Sequence, residues 1–186
     1  MSLKAKLRQK FKVLVSEFSE SQKNNENQVI TDWVINYLKK NNLTKIGIYN
    51  SMPNEVSTIK IVDFCLNNAI EVFVPKMCPY YSLEFYQIFE NSNWEQNNPY
   101  NIKEPKELTS KVDLNDLQII IVPILGFDDK KNRLGRGKGY YDRTLVKLSN
   151  TIKIGLAFSC QKHQEVLPIE ENDVPLDFIV TGKFTL

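Results

Sequence analysis

Short apolar runs, separated by stretches of helical periodicity, constrain the fold of this chain more than any other feature of its sequence. The run Ile119-Ile120-Ile121-Val122 is apolar at every position. Such a run is typical of a strand that is covered on both faces, as in a parallel sheet between two layers of helices. This run belongs to a strand-like segment at 118–125, and further strand-like runs lie at 45–49, 71–76, 82–89, 153–158 and 178–181. The sequence therefore predicts an α/β fold, with a central, mostly parallel sheet flanked by helices in three layers.

The stretches between these runs predict helices. Apolar residues recur at helical spacing from Leu3 to Phe18, which predicts an amphipathic first helix. Further helices are predicted from about Asn27, over 55–69 and from near Gly139. Because 186 residues suffice for one hydrophobic core, we expect a single domain over 1–186.

The stretch 90–117 does not fit the alternation of strands and helices. It is polar, rich in asparagine and interrupted by prolines. Connections of this length without secondary structure of their own are uncommon in compact domains. The sequence predicts that this stretch is either a functional excursion or a mobile loop.

Composition excludes several classes of protein. The formal net charge of +2 gives no overall field that would recruit nucleic acid or an anionic membrane. No apolar run reaches membrane-spanning length, and the first residues lack the apolar centre of a signal peptide. Cys65, Cys78 and Cys160 show no paired spacing, and His163 is the single histidine, so disulfide frameworks and histidine-rich metal sites are not expected. We therefore expect a cytoplasmic monomer that binds neither nucleic acid nor membrane.

The segment "RLGRGKGYYDR" (133–143) is the strongest candidate for a functional site. Its glycines allow the backbone to take positive φ angles and to approach a ligand closely. Consecutive N–H groups in such a loop, followed by a helix, favour anions, and the cations add charge-assisted donors. The combination suits a polyphosphate. The residues concerned are Arg133, Gly135, Arg136, Gly137, Lys138, Gly139 and Arg143.

The loop alone leaves other interpretations open. It matches neither the P-loop pattern nor the dinucleotide-binding fingerprint. A glycine-rich surface turn with solvated cations fits the same residues. So does a nucleic-acid loop in which Tyr140 and Tyr141 stack on bases, although the chain offers no basic stripe to extend it.

The longer segment "GFDDKKNRLGRGKGYYDRTL" (126–145) resembles the signature of the 5-formyltetrahydrofolate cyclo-ligase family, also called 5,10-methenyltetrahydrofolate synthetases. The resemblance extends to the Lys4/Arg8 pair, to "YNSMPNEVST" (49–58) and to "IEENDVPLDFIVT" (169–181). It implies a single α/β domain that converts 5-formyltetrahydrofolate to 5,10-methenyltetrahydrofolate with ATP and Mg²⁺. In that reaction the formyl oxygen attacks the γ-phosphate and N10 then closes the ring, so no enzyme nucleophile is required.

The resemblance also implies a set of nucleotide-binding residues. Lys4 and Arg8 lie four residues apart, and therefore on one helix face, and would bind the ATP phosphates. A solvated face is the alternative for this pair. Arg136 and Lys138 would neutralise the transferring phosphoryl group. The loop residues assigned to ATP are Arg133, Leu134, Gly135, Arg136, Gly137, Lys138, Gly139, Tyr140 and Tyr141.

Folate-binding residues follow from the resemblance in the same way. Glu55 would accept hydrogen bonds from the pterin, and its alternative role is to stabilise the N-terminus of the helix predicted over 55–69. Tyr140 and Trp94 would stack on the pterin or on adenine. The residues assigned to folate are Asn50, Glu55, Trp94, Arg136, Gly137, Lys138, Gly139 and Tyr140.

Asp142 and Asp177 match the aspartates that the resemblance associates with Mg²⁺, an ion that usually takes one or two carboxylates together with phosphate oxygens and waters. Asp177 has the alternative role of a turn residue before a strand. Lys76 stands where many family members carry arginine. Two rival functions remain: a phosphate-binding enzyme such as a sugar-phosphate isomerase, and a non-catalytic nucleic-acid or nucleotide-binding module.

Overall fold

The computed structural model describes residues 2–106 and 109–186. The strands are β1 (Lys45–Ile48), β2 (Glu71–Cys78), β3 (Ser82–Ile88), β4 (Trp94–Glu95), β5 (Glu104–Pro105), β6 (Ile119–Pro123), β7 (Gly126–Phe127), β8 (Arg133–Leu134), β9 (Ile152–Leu156) and β10 (Phe178–Val180). Six of them form one sheet with the order β10-β9-β6-β1-β2-β3. Its strands are parallel except β3, which pairs antiparallel with β2 at one edge. This confirms the predicted α/β fold with a mostly parallel sheet.

The α-helices are α1 (Leu3–Glu17), α2 (Glu20–Lys40), α3 (Ile59–Leu66) and α4 (Tyr140–Leu145). Helix α2 begins seven residues before the predicted start at Asn27. Its first turn is polar and shows no apolar periodicity, but Ser19 and Gln22 close it with a reciprocal capping box. None of the described helices combines the length and the apolar character needed to cross a membrane.

The helix predicted over 55–69 is shorter than expected. It begins only at Ile59, so Glu55 lies in the preceding loop and does not stabilise a helix N-terminus. A turn closes this loop instead, with the Glu55 N–H donating to the carbonyl of Met52 at 3.0 Å and Asn54 at a φ of 66°. The apolar spacing of α3 extends backward through Val56 in the sequence, and this caused the error in the predicted boundary.

The continuous apolar run in β6 serves two cores. Ile119 and Ile121 face a cluster with α2 and α3, whereas Ile120 and Val122 face a second cluster with α4 and the loops around it. Successive strand residues point to opposite faces, so a strand buried on both sides must be apolar throughout. The three-layer arrangement follows from this.

The polar stretch 90–117 packs against the sheet in its described part. Strands β4 and β5 form a small hairpin, and the chain after it runs beside β3. There the N–H of Gln87 donates to the carbonyl of Ser110 and the N–H of Val112 donates to that of Phe85, both at 3.0 Å. At the opposite edge, Ile179 and Leu186 exchange backbone hydrogen bonds beside β10. Both edges of the sheet are therefore covered by other segments of the chain.

Candidate functional site

A cleft of about 880 Å³, counted with its open solvent, lies at the carboxyl ends of β1, β2 and β6. This is the edge at which parallel α/β sheets generally bind ligands, because the loops that leave the strands diverge there. Polar and cationic side chains form one part of the lining, and apolar and aromatic side chains form the other. The lining residues include Tyr49, Asn50, Met52, Glu55, Pro75, Met77, Leu83, Tyr100, Ile102, Glu104, Arg133 and all residues from Gly135 to Asp142.

The β7–β8 hairpin delivers the glycine loop to this cleft. Asp128, a buried carboxylate in its turn, accepts hydrogen bonds from the backbone N–H groups of Lys130, Asn132 and Leu167 at 2.8–3.0 Å. A carboxylate that accepts several backbone donors fixes a turn strongly. The direction in which the chain leaves the hairpin at Leu134 is thus determined outside the cleft.

Two of the three loop glycines take left-handed backbone conformations. Gly137 has a φ of 93°, and Gly139, which precedes the first residue of α4, has a φ of 74°. L-residues with side chains rarely adopt such angles, which explains glycine at both positions. The predicted positive φ angles are confirmed at these two positions, whereas Gly135 does not take one.

Helix α1 contributes one cation to the loop. The Arg8 side chain donates from Nε to the carbonyl of Gly135 at 2.9 Å, and its Cζ lies 2.8 Å from where a Cβ on Gly137 would be. Lys4 instead forms ion pairs with Glu170 at 3.0 Å and Asp173 at 2.7 Å. Burial alone would lower the pKa of Lys4, but hydrogen bonds to these carboxylates raise it above its usual value. Of the predicted pair, Arg8 donates a hydrogen bond to the loop, whereas Lys4 pairs with the acidic residues at 170 and 173.

Arg136 is paired with Glu55 across the cleft. Its Nη2 and Nε lie 2.7 and 3.2 Å from Oε1 of Glu55, whose Oε2 accepts from the N–H of Met52 at 2.8 Å. The Glu55 side chain is 7% exposed and that of Arg136 37% exposed. Because both of its oxygens are engaged, Glu55 is placed to orient Arg136.

A second ion pair lies below the loop. The Arg133 side chain is buried and its Nη2 contacts Oδ1 of Asp142. Burial lowers the pKa of the Arg133 guanidinium, and the carboxylate of Asp142 opposes that shift. Among the described residues, Nε of Arg133 and the hydroxyl of Tyr141 are buried without a hydrogen-bond partner. The Arg133 guanidinium lies 5.9 Å from the Tyr141 ring centre, within the range of a cation–π contact.

The structure does not bring the two predicted metal-binding aspartates together. Asp142 lines the cleft, whereas Asp177 precedes β10 and accepts from the N–H of Lys153 at 2.7 Å. Lys153 lies near the start of β9, so Asp177 is at the amino ends of the parallel strands, away from the cleft at their carboxyl ends. In the described part of the chain, no group of three or more His, Cys, Asp or Glu residues could hold a metal ion. Asp177 instead binds the backbone of Lys153 near the start of β9 through both its side chain and its own N–H.

Aromatic side chains form one wall of the cleft. The ring of Tyr140 meets those of Tyr81 and Tyr100 edge-on, with centroids 5.5 and 6.5 Å apart. Trp94 is not part of this wall, since it lies in β4 beside residues of α3 and the end of β3. The stretch 90–117 does supply an aromatic residue to the cleft, but that residue is Tyr100.

Other polar residues tie the stretch 90–117 to the sheet. Asn50 donates from Nδ2 to the carbonyl of Lys103 at 2.8 Å, and Lys76 pairs with Glu95 at 2.8 Å. Lys76 therefore fixes the excursion and does not line the cleft. Glu104 was not predicted, although it lines the cleft as a buried carboxylate and accepts from the N–H of Met77 at 2.7 Å. A Glu-Pro pair in a polar segment carries no sequence signal for such a position.

Comparison with known proteins gives concordant matches. The model of the 5-formyltetrahydrofolate cyclo-ligase family matches residues 1–182. A Haemophilus influenzae protein named 5-formyltetrahydrofolate cyclo-ligase is 32% identical over 181 residues, covering 95% of this chain and 96% of its own length. A Schizosaccharomyces pombe protein named as a probable enzyme of the same kind is 34% identical over 153 residues, covering 73% and 74%.

Solved structures agree with these matches. A 5,10-methenyltetrahydrofolate synthetase from Mycoplasma pneumoniae superimposes with a TM-score of 0.79 at 27% identity, over 97% of this chain and 99% of that one. The synthetase from Aquifex aeolicus gives a TM-score of 0.83 at 27% identity, over 99% and 92%.

Proposed function

Because the chain belongs to the 5-formyltetrahydrofolate cyclo-ligase family, an enzyme family that acts on small molecules, we propose that it cyclises 5-formyltetrahydrofolate to 5,10-methenyltetrahydrofolate, consuming ATP with Mg²⁺ and releasing ADP and phosphate. The observation that carries the proposal is the glycine loop at the carboxyl edge of the sheet. The loop, with its left-handed glycines and Arg136, lines one part of the cleft, and mainly apolar and aromatic side chains line the other. Arg8 holds the loop at the carbonyl of Gly135. A polyphosphate fits the part beside the cationic loop, and a flat heterocycle fits the apolar and aromatic part.

The reaction needs two bond-forming steps. The formyl oxygen attacks the γ-phosphorus and ADP departs, leaving the formyl group phosphorylated on its oxygen and its carbon activated. N10 then attacks that carbon, loses its proton, and phosphate leaves as the methenyl bridge forms. Both steps depend on positioning and on neutralising the transferring phosphoryl group, and neither needs a protein nucleophile.

The cations of the loop are proposed to perform that neutralisation. Arg136 offers a planar guanidinium suited to phosphoryl oxygens, and Lys138 lines the same part of the cleft. Glu55 holds the Arg136 side chain through Nη2 and Nε, so little reorganisation is needed when substrate binds. Arg8 holds the loop backbone at Gly135.

Asp142 fits a Mg²⁺ ligand by the chemistry of its donors. Its Oδ1 contacts Arg133, and the hydrogen bonds of the described residues leave Oδ2 unused. Mg²⁺ is often held by one protein carboxylate together with phosphate oxygens and waters, which agrees with the absence of a larger carboxylate cluster among the described residues. When bound, the ion would supply additional charge neutralisation at the phosphates.

The direct test is an assay of the purified protein with 5-formyltetrahydrofolate, ATP and Mg²⁺. We expect the near-ultraviolet absorbance of the methenyl product to rise, and to stay flat without ATP or with excess chelator. Product formation without ATP, or none under any condition, would contradict the proposal. We further propose a single-domain monomer in the cytoplasm, consistent with three free cysteines, and gel filtration tests the oligomeric state.

A further inference from the structure

Glu104 is a buried carboxylate in the wall of the cleft that the mechanism above does not use. Its residue exposure is 6%, and the side chains that share its part of the lining include Met77, Ile102 and Tyr140. Glu104 and Tyr140 both line the cleft, and the negative charge of Glu104 adds to the rise in the pKa of the Tyr140 hydroxyl, after burial and the neighbouring tyrosines. The carboxylate thus stands within the apolar part of the cleft.

This carboxylate has an unused hydrogen-bonding oxygen. Its Oε1 accepts from the N–H of Met77 at 2.7 Å, and among the described residues Oε2 takes part in no hydrogen bond and the side chain in no ion pair. Oε2 is not among the buried unpaired polar atoms of the described residues, so this oxygen is open to the cleft. A carboxylate oxygen that faces a cleft and has no protein partner can accept hydrogen bonds from a ligand there. Glu55 differs, because Arg136 and the N–H of Met52 engage both of its oxygens.

The position of Glu104 selects the part of the substrate that it can meet. A triphosphate would be repelled by the carboxylate and is attracted to the cationic loop instead. A flat ring with adjacent N–H donors suits a carboxylate between Met77, Ile102 and Tyr140, since the rings stack while the donors bind the oxygen. The pterin of a reduced folate carries such donors at its 2-amino group and N3.

We propose that Glu104 is the specificity-determining residue that accepts hydrogen bonds from the 2-amino and N3–H edge of the pterin. The inference rests on the proposed function. It also orients the substrate, because binding that edge at Glu104 directs the opposite side of the pterin, with its N5-formyl group, away from the carboxylate and toward the cationic loop.

The test compares Glu104→Gln with a matched control, Glu95→Gln. Glu95 is the cross-strand partner of Glu104 in the β4–β5 hairpin, and its ion pair with Lys76 lies outside the cleft lining. The glutamine at 104 keeps an acceptor for the N–H of Met77 and removes the charge. We expect KM for 5-formyltetrahydrofolate to rise roughly 10- to 100-fold in Glu104→Gln, with KM for ATP and the melting temperature unchanged. The glutamine at 95 would keep an acceptor for Lys76, whose Nζ also donates to the carbonyl of Pro105, so the hairpin stays in place and Glu95→Gln should leave both KM values unchanged.

Competition binding tests the same contact by changing the ligand. A 5-formyl analogue that lacks the 2-amino group should compete roughly 10- to 100-fold more weakly than 5-formyltetrahydrofolate, and Glu104→Gln should abolish that preference. An equal affinity of the unaltered protein for both compounds would overturn the inference, as would a rise in KM for ATP alone. Failure of the unaltered protein to form the methenyl product would instead count against the proposed function.

Discussion

Gly137 is the residue at which backbone conformation and ligand approach coincide. Its φ of 93° is unfavourable for any residue with a side chain, and a Cβ there would crowd the guanidinium of Arg8. We expect Gly137→Ala to lower kcat/KM by on the order of 100-fold, because the loop amides and Arg8 both move away from the phosphates. The measurement is steady-state kinetics alongside thermal unfolding. A loss of activity no greater than the loss of folded protein would show that the loop is only a surface turn.

Because Arg136 and Glu55 are paired, substitutions at the two positions should have coupled rather than independent effects on kcat. We expect Arg136→Lys and Glu55→Gln each to lower kcat, since the lysine cannot form a planar fork and the glutamine no longer holds Arg136 by charge. The double variant should have about the same kcat as the less active of the two single variants, because each substitution disrupts the same arrangement.

A double-mutant cycle on kcat measures this coupling. If the two effects multiply, Glu55 acts separately from Arg136. A selective rise in KM for 5-formyltetrahydrofolate in Glu55→Gln would then support the direct pterin contact that the resemblance implied for this glutamate.

Asp142 should affect both metal use and stability. We expect Asp142→Asn to raise the Mg²⁺ concentration needed for half-maximal rate, and to cost about 3 kcal/mol of unfolding free energy because the buried Arg133 loses its counter-charge. Titration with Mg²⁺ and denaturant unfolding separate the two effects. Asp177→Asn should leave the Mg²⁺ requirement unchanged, and an equal rise in both variants would contradict the placement of Asp177 outside the site.

At the scale of elements, helix α1 is docked at two points with different consequences. Arg8 reaches the glycine loop, whereas Lys4 binds the acidic segment at 170–173. We expect Arg8→Ala to raise KM for ATP about 10-fold, and Lys4→Ala mainly to lower the melting temperature. Lys12→Ala removes an exposed cation of the same helix and serves as the control for net charge. Equal increases in KM for ATP in the Arg8 and Lys4 variants would instead support a role for both residues in binding the ATP phosphates.

The strands could be predicted from the sequence more completely than the helix boundaries. A buried parallel strand must be apolar at every position, so β6 was evident from Ile119 to Val122. The first turn of α2 instead depends on the capping box at Ser19, and the loop before α3 depends on a turn at Asn54. Such local hydrogen bonds compete with apolar periodicity and prevail over it where the chain leaves the core.

The residues of the candidate site divide in the same way: local conformation makes some of them predictable from the sequence, and long-range packing places the others. The loop at 135–139 was predictable because glycine positions carry their own conformational signal. Other features of the site depend on how the excursion and the last strand pack on the sheet. These are the presence of Tyr100 in the cleft where Trp94 was predicted, the position of Asp177 and the position of Glu104. Those contacts join residues far apart in the chain and have no periodic pattern.

At the scale of the whole molecule, the covered edges of the sheet have a consequence for self-association. A bare edge strand offers a row of unpaired N–H and C=O groups with which another chain can pair, and this is a common route to aggregation. Here the segment from Ser110 to Val112 occupies the outer side of β3, and Leu186 occupies the outer side of β10. The same excursion that completes the cleft therefore also terminates the sheet, so a change that releases it from β3 would expose both the ligand site and a template for intermolecular strand pairing.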